Sequence, residues 1–436
     1  MVLLKSFTNI FRVPELRKRM LFTLGALIIY RLGLVIPVTG VNLPMLGQML
    51  KHAAGLGNLF SYFDTVSGSA ISQCTLFALG IGPYITASIA MQILTMAIPQ
   101  LEQLQKEGEY GRKIINQYTR YLALVVSFVS SVAYAATLQA NGLAFQPGIG
   151  FTLLFVVSMT AGAMFIMWLG EQISLYGVGN GASMLIFAGI VARMPELVAQ
   201  TVQYVKMGTT DIISVAIIAA FFVLIVACIV YLEKGERKIP VQYARRIVGN
   251  KVYGGQSSYI PFKINPVGVM PVIFASSAWQ WPAFISTALA ARFESLRFLR
   301  DIVMSLPVHL SINFLLIIFF TFLYTALVFN PDELADNIKK NGGFIPGIRP
   351  GKKTAQFFDH ILNRIGLVGA IYLGVLAIVP DILKSFFDVP FLLSGISLLI
   401  AVGVSLETSA QVESYLIEHR YEGFLSSGRV KNRILR

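Results

Sequence analysis

Charge is scarce in this sequence. Only 13% of its 436 residues are Asp, Glu, Lys or Arg, about half the share usual in a soluble protein. With so little polar surface, a large water-soluble core is excluded, and so is a long disordered basic tail. Acidic residues are the scarcer sign, 22 against 35 Lys and Arg, which leaves a formal net charge of +13. On a chain that is 55% apolar, such basicity points to the loops of a membrane protein and away from nucleic-acid binding. Cysteine is nearly absent. Cys74 and Cys228 both lie in apolar stretches, too few for a disulfide framework or a metal cluster.

Carboxylates and histidines are also almost absent from the middle of the apolar stretches, where the only bases are Arg31 and Arg193. Glu171, Glu196, Asp211 and Glu407 fall at their ends, His309 at the start of one, His52 and His360 in loops and His419 in the C-terminal tail. Ion-coupled transporters keep carboxylates or histidines inside their spans, so this inventory argues against a secondary transporter for a small solute, the main alternative reading. No His-Glu-x-x-His helix or Gly-x-Ser-x-Gly elbow is present. Gly177-Val-Gly179-Asn-Gly181 looks like a phosphate loop only superficially, because it lacks Lys and follows a membrane run. No nucleophile pairs with a base, so neither catalysis nor a cofactor or metal is expected.

Long apolar runs are abundant instead. A helix needs about 20 apolar residues to cross the hydrocarbon core, and ten runs qualify: 21–38, 74–98, 119–138, 151–170, 181–204, 212–232, 266–290, 306–329, 365–384 and 390–410. The fifth is weakest, being interrupted by Arg193 and Pro195. Residues 1–20 carry five bases but precede a full-length run without a small-residue cleavage site, which reads as a first anchor. With ten spans, both termini share a side with the loops after spans 2, 4, 6 and 8. That side holds 27 of the 35 bases and the other side six, which predicts cytoplasmic termini.

The expected fold class is therefore all-α, a polytopic membrane protein. Five spans fall in residues 1–205 and five in 206–410, followed by a tail over 411–436. An odd number per half forces the second half upside down relative to the first, and inverted repeats place function at their interface. Leu59–Gln73 is too polar to span and reads either as a half-inserted helix or as an outer loop. Two basic loops, 233–263 and 330–364, are longer than topology requires and read as docking sites or, alternatively, as passive connectors with topology-setting charge, the first being favoured by their length. The spans carry scattered hydroxyls and amides: Thr86, Ser88 and Gln92; Ser127, Ser130 and Ser131; Ser276 and Ser277. Such groups either glue neighbouring helices or mark a seam that parts easily.

Several stretches resemble the bacterial SecY family, the channel subunits of protein translocases. They are Phe77–Ile85 (FALGIGPYI), Trp168–Ile173 (WLGEQI), Gly177–Gly181, Gln242–Arg246 (QYARR), Ile273–Ser277 (IFASS), Tyr324–Pro331 (YTALVFNP) and Ala335–Gly351 (ADNIKKNGGFIPGIRPG). The match runs in one register from about Phe11 to the tail. The resemblance implies ten helices in two inverted halves around an hourglass channel. Such a channel passes unfolded polypeptide and releases apolar segments sideways into lipid. It further implies a pore ring of Ile81, Ile85, Ala182, Ile186, Ile273 and Ile400, where a tight apolar constriction excludes water and ions. Ala182 departs from the bulkier aliphatic the family pattern suggests.

By the same resemblance, Leu59–Gln73 is a plug, with Phe60, Asp64, Gly68 and Ser69 in it. Thr86, Ser88, Gln92, Ser127, Ser130, Ser276 and Ser277 belong to a lateral gate formed by spans 2, 3, 7 and 8. Arg245, Arg246, Lys251 and Arg349 are implied to dock the SecA motor or the ribosome, with one base at Asn250-Lys251 where a more basic pair is implied. Implied partners are SecE-like and SecG-like small membrane subunits, signal peptides, nascent polypeptides and membrane lipids. Nucleic acid enters only as ribosomal RNA, and the implied location is the bacterial cytoplasmic membrane.

Overall fold

The computed structural model describes residues 13–46, 73–140, 142–208, 211–243, 246–248, 251–253, 257–292, 297–386 and 394–427. Each of the ten apolar runs falls on a helix. They are α1 (Pro14–Gly33), α2 (Gly82–Ala97), α4 (Glu109–Ala140), α5 (Ile149–Tyr176), α6 (Gly181–Lys206), α7 (Ile212–Lys234), α8 (Met270–Arg292), α10 (Leu306–Val328), α12 (Lys352–Phe386) and α13 (Gly395–Ser427). Short α3 (Pro99–Lys106), α9 (Arg297–Met304) and α11 (Pro331–Lys340) join them. Seven of the described helices are long and apolar enough to cross a membrane alone, and the pair α2–α3, bent by 101°, passes the same test only when its two helices are taken together as one broken span.

Helix ends depart from the apolar runs in a consistent way. The run at 365–384 belongs to a helix that starts at Lys352, and the run at 390–410 to one that continues to Ser427. Intrahelical hydrogen bonds do not stop where hydrocarbon does, so charged turns extend the helices into water. The run at 74–98 shortens instead. Cys74 (φ 44°) and Gly80 (φ 55°) hold left-handed conformations that keep residues 73–81 out of the helix, and Pro83 then opens α2 near its first position. Despite Pro195, α6 is continuous. A membrane helix tolerates the lost bond where neighbours satisfy the freed carbonyl.

The chain forms two compact units, Met1–Glu196 with Val404–Arg436, and Leu197–Gly403. In the first, α2 packs on α4 and α4 on α5 around Ala87, Ala123 and Met167. In the second, α8 packs on α10 and α10 on α12.

The second unit also contains a small sheet that the apolar runs did not announce. Strand β1 (Glu236–Tyr243) pairs antiparallel with β4 (Ser257–Lys263) in the register Ile239↔Ile260, and with β5 (Gly343–Phe344) at Gln242 and Tyr243. Pro240 is tolerated because β5 does not reach it, leaving that stretch of β1 an edge. A separate ribbon joins β2 (Arg246–Val248) to β3 (Lys251–Tyr253). Ile239, Val241 and Phe262 from the sheet, Ala335 and Ile338 from α11, Ile345, and Ala355, Phe358, Ile361 and Leu362 from α12 bury one apolar core. The two long basic loops are therefore a single folded module.

Candidate functional site

Ile81 is the N-cap of α2 and Ile85 lies one turn on, its N–H donating to the Ile81 carbonyl at 3.1 Å. Both are buried, at 6% and 7% exposure. The lead-in to Ile81 is clamped. Val38 N–H donates to the Cys74 carbonyl and Leu76 N–H to that of Ile36, both at 2.9 Å. Ala182 and Ile186 occupy the first turns of α6; Ala182 is partly buried and Ile186 buried.

Ile81 and the start of α6 meet at a glycine. A Cβ built at Gly170 on α5 would lie 3.3 Å from Ile81 Cδ1, 3.4 Å from Leu185 Cδ1 and 3.7 Å from the Ala182 nitrogen. A Cβ on Gly181 would collide with the Gly170 carbonyl oxygen. Two bare backbones thus let α5 and α6 approach closely and bring Ile81 beside the start of α6. In the second unit, Ile273 and Ile400 are both buried. A Cβ on Gly403 of α13 would strike Val269 Cγ1, and Ile273 N–H donates to the Val269 carbonyl at 3.2 Å. Ile273 and Ile400 therefore lie within a turn of one close approach.

The hydroxyls expected at a gate are largely turned onto their own helices. Thr86 Oγ1 donates to the Gly82 carbonyl (3.0 Å), Ser127 Oγ to that of Leu124 (2.9 Å) and Ser276 Oγ to that of Ile273 (2.8 Å), while Gln92 Nε2 donates to Ser88 Oγ (3.4 Å). Gln92 Oε1 is buried with no hydrogen-bond partner among the described residues. Ser130 is partly buried and Ser277 buried. A group bonded within its own helix adds no directional tie to a neighbour.

Arg349 is exposed in the turn after β5. Its carbonyl accepts from Thr354 Oγ1 at 3.0 Å, Gly347 and Gly351 hold φ of 82° and 100°, and the preceding Ile348 packs on the module core. Backbone and neighbour are fixed while the guanidinium projects. Arg246 and Lys251 lie on the β2–β3 ribbon. On the same module, the hydrogen bond from Lys238 to Glu236 raises the Lys238 pKa. The implied plug residues Phe60, Asp64, Gly68 and Ser69, and Arg245 in the loop, lie outside the described residues.

One pair escaped the sequence reading. Arg120 on α4 donates from Nε and Nη2 to both carboxylate oxygens of Glu171 on α5, at 2.9 and 2.8 Å. Each alone looked like an ordinary charge at a span end, and their separation of 51 residues hides the pairing. Among the described residues no group of three His, Cys, Asp or Glu could hold a metal ion.

Stacked apolar helices and a basic folded module define a multi-pass helical membrane protein. The family model named SecY matches residues 75–409. The chain is 44% identical to the protein translocase subunit SecY of Pseudomonas aeruginosa over 96% of its own length and 95% of the relative's. It is 43% identical to that of Thermus thermophilus, over 99% and 100%. In fold it resembles a solved protein-conducting channel (TM-score 0.66, 19% identity, 95% of each chain) and Sec61 in a canine ribosome–channel complex (TM-score 0.62, 18% identity, 95% of each). The chain belongs to the SecY family.

Proposed function

We propose that this chain is the protein-conducting channel of a translocase in a bacterial cytoplasmic membrane, with both termini on the cytoplasmic side. It passes unfolded polypeptide and releases apolar segments laterally into lipid. Two halves of five helices, 1–205 and 206–410, flank the passage. The observation that carries this reading is the aliphatic cluster at the starts of α2 and α6, where Ile81 and Leu185 converge on Gly170. A passage for arbitrary side chains cannot rely on specific hydrogen bonds, and a narrow apolar constriction excludes ions when idle.

Ile81, Ile85, Ala182, Ile186, Ile273 and Ile400 form that constriction in this reading, and Leu185 supplies bulk beside the small Ala182. Residues 59–73 fill the outer funnel at rest, and the hydroxyls of spans 2, 3, 7 and 8 line the lateral exit. Because Thr86, Ser127 and Ser276 bond within their own helices, the exit opens without breaking those bonds. The folded basic module, with Arg245, Arg246, Lys251 and Arg349, receives a SecA motor or a ribosome. SecE-like and SecG-like subunits complete the assembly, and this chain itself makes and breaks no bond.

The test is ion conductance of the idle channel in planar bilayers. Ile81→Ser is expected to leak while the protein remains inserted. A tight idle channel in that variant would overturn the ring.

A further inference from the structure

The turn Gly177–Gly181 enters α6 one residue before Ala182, and three helices hold it. Val178 N–H donates to Thr23 Oγ1 on α1 (3.0 Å), Gly179 N–H to Gln411 Oε1 on α13 (2.9 Å), and Gly181 N–H to Ser174 Oγ on α5 (2.9 Å). Asn180 Oδ1 accepts from Ser183 N–H at 3.3 Å, so the turn also caps the helix it starts. Gly179 holds φ of 87°, and a Cβ there would lie 3.2 Å from Met184 Cγ and 3.3 Å from Thr408 Oγ1. Beneath the turn, Leu16 and Val178 are buried among Val13, Met20, Val412, Tyr415 and Leu416.

Three glycines in five residues give this backbone wide intrinsic freedom, so its direction is set by whatever holds it. Thr23 and Ser174 hold its flanks. The hold on its central left-handed residue comes from Gln411, 232 positions away in sequence.

We propose that Gln411 is a positioning residue for the constriction. By accepting the Gly179 amide, it sets the direction in which the first turns of α6 present Ala182 and Ile186. The proposal rests on the ring reading above and follows from a peculiarity of this chain. Alanine at 182 has no flexible side chain to absorb a misplaced backbone, so the seal depends on where the turn holds α6.

The experiment uses the full chain with its partner subunits. It measures idle conductance in planar bilayers and amide exchange over residues 177–186. Gln411→Leu removes the acceptor at similar volume, and Gln411→Met does the same should the leucine variant not accumulate. Exchange at the turn is expected to quicken about five- to tenfold, as for loss of one hydrogen bond, with a several-fold rise in idle conductance. Gln411→Glu keeps an acceptor oxygen and is expected to restore both. The proposal is overturned if Gln411→Leu stays tight while Ile186→Ser leaks, or if Gln411→Glu leaks as much as Gln411→Leu. If Ile186→Ser also stays tight, the ring reading itself fails and this proposal falls with it.

Discussion

The start of α6 and the basic module are each held in place, but by opposite chemistry. The module is built like a small soluble protein. Strands β1 and β4, helix α11 and the first turns of α12 bury Phe358, Phe262 and their neighbours, and charge covers the outside. The start of α6 has no such core to itself. Bare backbone at Gly170 and Gly181 permits close approach, and side-chain acceptors hold the turn amides one by one. In water, burying apolar area drives folding. Among lipid tails that drive is absent, and close packing with satisfied polar groups takes its place. Damage to the two regions should therefore look different.

The largest effect is expected from Phe358→Ala. The ring is fully buried, its centroid 5.4 Å from that of Phe262, and such truncations cost about 3–5 kcal/mol. The module should melt, seen as new trypsin cleavage within 236–263, and motor-driven export should collapse while idle conductance stays at its parental level. Leakage in this variant would erase the contrast between the regions.

Gly181→Ala tests the other side. Its new Cβ meets the Gly170 carbonyl, a backbone atom that cannot rotate away. Overpacking of this kind costs about 1–3 kcal/mol, read as a lowered melting temperature in detergent. Ions should leak while motor binding to the membranes is unchanged. Lost motor binding would mean that the two regions do not act separately.

Arg349→Glu should perturb function without structure. The side chain is exposed and its backbone is held through the carbonyl. Stability should stay within about 0.5 kcal/mol of the parent, while export of secreted precursors falls several-fold. Unchanged export would remove Arg349 from the docking surface.

The same contrast explains what could be read in the sequence. The ten membrane helices were legible because hydrocarbon demands about 20 apolar residues in a row, a signal that needs no partner. The sheet was not. Only Ile239 and Val241 of the eight residues in β1 face its core, too short an alternation to stand out, and its partners come from as far away as Phe344. Ile81 and Ile85 were picked out only through their resemblance to a known pattern; Ile81 caps α2 from outside and Ile85 lies one turn in. The Gly177–Gly181 motif was visible, but its function was not, because its holders Thr23 and Gln411 lie far off in the chain. The hydroxyls of spans 2, 3 and 7 could be found by type, yet sequence alone could not tell a bond within a helix from one across a seam.

The smallest effect concerns Arg120 and Glu171, a charged pair on membrane helices that obeys the rules of the aqueous module. Its geometry is bidentate, which favours a strong contact. Its side chains are 45% and 18% exposed, however, so water and salt screen the attraction and the coupling should resemble that of a surface pair. A double-mutant cycle with Arg120→Ala and Glu171→Ala, read by thermal unfolding in detergent, should give about 0.5–1 kcal/mol. The coupling should shrink further in 1 M salt, where the screening length is roughly 3 Å. A salt-insensitive coupling of about 3 kcal/mol or more would place the pair among buried ion pairs. The packing of α4 against α5 would then owe as much to charge as to the apolar contact around Ala123 and Met167.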